Sequence, residues 1–187
     1  MRHTIFRHLG RAGLILAGLV AASGPAVAMR SCRGALDTST MVVLPRHLAV
    51  SLQLQPVTHT AQADQAVAAF ASGLEAAGVS VDPQSTLRLS MALSIYPPTI
   101  PGTNQPASTG NFSDFHWMGT TASLPGGSPL GAKLDAAVLV LDSVGAQFAW
   151  IASISCTVET DDGLALARDI GYRVGQAMGR NIDQGTF

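Results

Sequence analysis

Three histidines outside the first thirty residues, His47, His59 and His116, are the side chains best suited to move a proton near neutral pH. Asp114 and His116 stand two residues apart in Phe112-Ser113-Asp114-Phe115-His116-Trp117-Met118. An extended segment would turn both to the same side, the minimum an acid–base dyad requires. Catalysis further needs a nucleophile and an orienting group. The chain offers no G-x-S-x-G and no H-E-x-x-H. Gly126-Gly127-Ser128 lacks the lysine of a phosphate-binding loop, and Asp161-Asp162 sits where acids serve the start of a helix. The expectation is therefore a protein that is not an enzyme, with no cofactor and no metal. A hydrolase built on His116 and Asp114 is a lower-ranked alternative.

The N-terminus is read as an address. Arg2, Arg7 and Arg11 precede the uncharged run Leu14–Ala22, Ser23-Gly24-Pro25 breaks it, and Ala26-Val27-Ala28 is a small-x-small triplet. That order marks a secretory signal peptide cut after Ala28. An uncut membrane anchor is the alternative, but the run is shorter than the roughly 20 residues a spanning helix needs. Removing residues 1–28 takes three of the eleven basic residues and none of the twelve acidic ones, which changes the net charge from −1 to −4. An acidic mature chain gives no reason to expect nucleic acid, and no later stretch is long and apolar enough to span a bilayer. The expected location is periplasmic or secreted.

Cys32 and Cys156 are the two cysteines. Met29-Arg30-Ser31 ahead of Cys32 does not fit a lipoprotein box, so a lipid anchor is not expected. An exported chain with two cysteines meets an oxidising compartment, which favours a Cys32–Cys156 disulfide. The alternative is a buried free Cys156 packing as a small apolar residue.

These residues must be positioned by a single domain. Residues 29–46 have little periodicity and read as an irregular lead-in to a domain over 47–182. Residues 47–55 alternate and end at Pro56, as a half-buried strand does. Ala61–Ala77 carries Val67, Phe70 and Leu74 on one helical stripe, with Gly78 at its end. Leu87 to Ile95 is the cleanest alternating strand, stopped by Pro97-Pro98. Residues 97–132 are a Pro/Gly-rich loop, long enough to suggest a function. Leu134–Leu141 and Phe148–Val158, joined by Asp142-Ser143-Val144-Gly145, read as a hairpin with Phe148, Trp150, Ile154 and Cys156 on one face. Thr160-Asp161-Asp162 caps a last helix, where Gly171, Gly175 and Gly179 let it lie close on the sheet. The predicted fold is α+β: one antiparallel or mixed sheet of about four strands with two helices packed on one face, in the order β-α-β-loop-β-β-α.

Leu74-Glu75-Ala76-Ala77-Gly78-Val79, and Leu139-Val140-Leu141-Asp142-Ser143 leading through Gly145 to Ala149-Trp150, resemble the DUF4136 group of bacterial envelope proteins. The resemblance spans roughly residues 47–182 and implies a compartment and a fold, with no reaction attached. This chain departs from many such proteins in lacking the lipoprotein box and in its long proline-rich loop. The leading expectation is an exported, non-enzymatic envelope module that binds an envelope protein partner. Phe112, Phe115, His116 and Trp117 in the loop are the candidate contact residues; alternatively these aromatics fold back over the open face of the sheet. A module binding a small apolar ligand between sheet and helices is the first alternative.

Overall fold

Two residue periods, 2 and 3.6, account for most of the elements. The computed structural model describes residues 31–53, 61–96 and 130–187. Its elements are β1 (Cys32–Thr40), β2 (Ala49–Leu52), α1 (Ala61–Ala76), β3 (Ser80–Val81), β4 (Leu87–Tyr96), β5 (Lys133–Asp142), β6 (Gln147–Val158), α2 (Gly163–Ala177) and β7 (Ile182–Thr186). The strands form one mixed sheet in the order β3-β2-β4-β5-β6-β1-β7. β2 runs parallel to both β3 and β4, and the other neighbours are antiparallel.

The α+β class and the two helices agree with the sequence reading, but a sheet of about four strands does not: it has seven. Three strands were missed, each for a physical reason. β1 lies inside the lead-in read as irregular, because its core-facing row Cys32, Gly34, Leu36, Thr38, Thr40 is mostly small or polar. β3 is two residues long, too short to show a period. β7, Ile-Asp-Gln-Gly-Thr, lies mostly at the surface and carries no apolar alternation.

One face of the sheet holds the core. Leu89 and Leu93 of β4, Leu134, Val138 and Val140 of β5, and Trp150, Ile154 and Val158 of β6 are buried with Phe70 and Leu74 of α1 and Leu166, Ile170 and Val174 of α2. The largest of these side chains are less than 2% exposed. Each such side chain contributes about 1.5–3 kcal/mol by leaving water.

The helices begin and end by ordinary capping chemistry. The Asp162 side chain accepts hydrogen bonds from the backbone N–H groups of Leu164 and Ala165 at the start of α2. Gly78 just beyond α1 and Gly179 just beyond α2 have φ of +89° and +76°, the left-handed conformation that glycine adopts at no steric cost. The expectation that Gly171, Gly175 and Gly179 let α2 lie close on the sheet is corrected for the first two, which face α1 instead. A Cβ on Gly171 would strike the Phe70 carbonyl, and one on Gly175 would meet Ala77. Reciprocally, a Cβ on Gly73 of α1 would strike the backbone of Arg168. The glycines let the two helices approach each other.

Candidate functional site

Cys32 and Cys156 form a disulfide with a Cα–Cα distance of 5.8 Å and a sequence separation of 124 residues. The pairing follows from register. Cys32 stands opposite Val158 and Gly34 opposite Cys156 across the β1–β6 ladder, so the two cysteines are diagonal neighbours on the core side. Both are buried, at 0% and 4% exposure. Of the two readings of Cys156, the paired one holds.

Next to the disulfide lies a buried polar cluster that the sequence reading did not single out. Arg173 and Asp169, four residues apart on α2, are paired, with Arg173 Nε 3.1 Å from Asp169 Oδ1. Arg173 Nη2 donates to Asp169 Oδ2 at 3.2 Å. The pair is an ion pair with one charge-assisted hydrogen bond, from Nη2; Nε lies close to Oδ1 without forming a second one. The Ser31 backbone N–H donates to the same Oδ2 at 3.1 Å. The Arg173 guanidinium carbon lies 4.3 Å from the centre of the Phe187 ring, a cation–π distance. Phe187 in turn exchanges backbone hydrogen bonds with Gly34. One ion pair on α2 therefore meets Ser31 and Phe187, residues far apart in the sequence. Its i,i+4 spacing on a helix was the available signal.

The second region is the helix-free face of the sheet. The alternation over Phe148–Val158 predicts Phe148 beside Trp150 in the core. In the structure Val140 pairs with Trp150 but Leu141 pairs with Phe148, so Ala149 is an extra residue in β6. This bulge turns Phe148 to the helix-free face, where it is 52% exposed. Leu139, Leu141 and Ile151 on the same face are half-buried. The backbone N–H groups of Met41 and Val42 both donate to the Ala149 carbonyl, which brings the β1–β2 connection to the same end. Met41, Val43 and Val144 are also exposed there.

The remaining candidates for chemistry are not assembled. His47 is exposed and shares a surface cleft of about 320 Å³ with Ser85 and Asp142. The Ser85 hydroxyl is committed: it donates to the Ala49 carbonyl at 2.6 Å and accepts from the Leu87 N–H at 3.2 Å. Asp142 Oδ1 accepts from the Val144 N–H in the hairpin turn. Asp162 is a helix cap. Among the described residues no group of three His, Cys, Asp or Glu side chains could hold a metal ion, and no helix is long and apolar enough to cross a membrane. The Ala28 cleavage site, His59, and the loop residues Phe112, Asp114, Phe115, His116 and Trp117 lie outside the described residues.

Among the described residues these elements define a one-sheet, two-helix α+β module with a buried disulfide. No protein-family model matches the chain, and no curated protein matches it. Among solved structures it is similar to PelC from Paraburkholderia phytofirmans, crystallised as a dodecamer. A Leu-to-Met variant of that protein shows 19% identity over 79% of this chain and 98% of the other, with a TM-score of 0.47. A second PelC structure from the same organism shows 17% identity over 80% and 99%, again with a TM-score of 0.47. The dodecameric state belongs to those PelC chains.

Proposed function

We propose that this chain is an exported accessory module of the cell envelope that acts by binding a protein partner and not by catalysis. The observation that carries the reading is the buried Cys32–Cys156 disulfide. Such a bond forms and persists in an oxidising compartment, and it agrees with the basic, apolar, Ala-Val-Ala order of residues 1–28.

The partner contact is assigned to the loop 97–132, with Phe112, Phe115, His116 and Trp117 as its apolar and aromatic anchors. Aromatic residues of this kind dominate binding energy at protein interfaces. The apolar-ligand alternative finds little support, because the space between sheet and helices is filled by Trp150, Phe70, Leu74, Leu134 and Ile154, each under 2% exposed.

The test is affinity capture from envelope extract with two baits, residues 29–187 and the same chain lacking 97–132, with circular dichroism confirming that both are folded. A protein enriched on the first bait and lost on the second is the expected result. No specific protein on either bait, or equal capture by both, overturns the assignment.

A further inference from the structure

The sheet is unevenly held. β4, β5 and β6 each bury at least four apolar side chains in the core. β1 buries two, Cys32 and Leu36, and one of these is half of the disulfide. β7 adds only the half-buried Ile182. Among the described residues the only strand hydrogen-bonded to β7 is β1. The β1–β7 ties are polar: Thr38 Oγ1 donates to the Arg180 carbonyl at 2.7 Å and accepts from the Ile182 N–H at 3.0 Å, while the Gln184 N–H donates to Asp37 Oδ1 at 2.6 Å. At the far end of β1 the Thr40 hydroxyl is buried without a hydrogen-bond partner among the described residues, an arrangement that weakens a segment. Few buried apolar contacts describe a segment that opens below the global unfolding free energy, and the polar ties keep β1 and β7 together as one ribbon.

We infer that Cys32–Cys156 is a redox latch on this two-stranded ribbon. With the disulfide closed, β1 and β7 complete the seven-stranded sheet. With it reduced, the ribbon opens from β6 while β4-β5-β6 and both helices persist. Opening frees the edge of β6 from Trp150 to Val158, the positions that β1 pairs with in the closed form, and an unpaired edge can accept another extended segment. The inference does not depend on the partner reading above.

The chemistry is thiol–disulfide exchange with a dithiol reductant. One thiolate attacks a sulfur of the bridge, forming a mixed disulfide and releasing the other cysteine as a thiolate. The second thiolate of the reductant then displaces the bound cysteine. Two electrons and two protons pass to Cys32 and Cys156, and the reductant leaves as its own disulfide. Because the cysteines are 0% and 4% exposed, attack on the bridge requires a transient local opening at the Cys32 end of β1, and reduction then lets the whole ribbon open.

Hydrogen exchange read by mass spectrometry tests this on the oxidised full chain, on the same chain reduced with dithiothreitol after folding, and on the Cys32→Ala/Cys156→Ala variant. Amides of β1, of β7 and of the β6 edge facing β1 are expected to exchange about 100-fold faster or more without the bond, while those of β4, β5, α1 and α2 change less than about threefold. Unchanged protection of β1 and β7 would overturn the latch. So would loss spreading equally through β5 and α2, or unfolding of the dithiothreitol-reduced chain, since the disulfide would then support the whole fold.

Discussion

Gly34 stands directly opposite Cys156 in the β1–β6 ladder, so close that a Cβ on Gly34 would strike the Ser155 carbonyl and the Cys156 Cα. The glycine two residues after Cys32 is what lets β1 lie near enough to β6 for the diagonal disulfide. Gly34→Ala is expected to cost about 2 kcal/mol through this overlap. Chemical denaturation of the disulfide-intact protein measures it, and a loss under about 0.5 kcal/mol would show that β1 has room to shift.

Arg173→Met removes the partner of a carboxylate whose side chain is 6% exposed. The expected loss is about 3 kcal/mol, because a buried charge is left uncompensated. The double variant Asp169→Leu/Arg173→Met removes both charges and is expected to recover at least half of it. A double variant no better than the single one would mean that the Ser31 and Phe187 contacts, not the pairing, carry the energy.

The helix–helix approach makes a sharp prediction at Gly171. Alanine is the better helix former by about 1 kcal/mol, so on propensity alone Gly171→Ala stabilises. The Phe70 carbonyl stands where the new Cβ would go. We expect net destabilisation of about 1–2 kcal/mol, read as a lower midpoint in thermal melts. A raised midpoint would place α1 and α2 further apart than described.

Phe148 separates the alternation reading from the bulged one. If it packed beside Trp150, Phe148→Ser would cost about 3 kcal/mol or more. On the helix-free face, at 52% exposure, it is expected to cost under about 1 kcal/mol. Urea denaturation distinguishes the two values.

The core strands and both helices were legible because each carries its own period. Leu87 to Ile95 alternates over β4, Leu134 to Leu141 is a dense apolar run over β5, and Phe70 with Leu74 marks the buried stripe of α1. The cysteine pairing was legible from count and compartment, with no geometry needed. The Ala149 bulge was not, since nothing in Gln147-Phe148-Ala149-Trp150 breaks the apolar pattern; the register shift appears only where β6 is paired with β5. For the aromatic loop residues named as contacts, sequence remains the sole source, as they lie outside the described residues.

Sequence by itself determined which segments alternate, which coil, and that Cys32 has one possible partner within the chain. Those are local properties, or simple counts, written in the order of side chains. Only the tertiary structure decided that β1 inserts between β6 and β7, that Ser31 and Phe187 meet at Asp169 and Arg173, and that Phe148 faces away from the core. A strand whose inward row is Cys, Gly, Leu, Thr, Thr has little hydrophobic period of its own. Its place is set by backbone pairing and a sulfur bridge to residues more than a hundred positions away, and such long-range partners leave no mark on the local pattern.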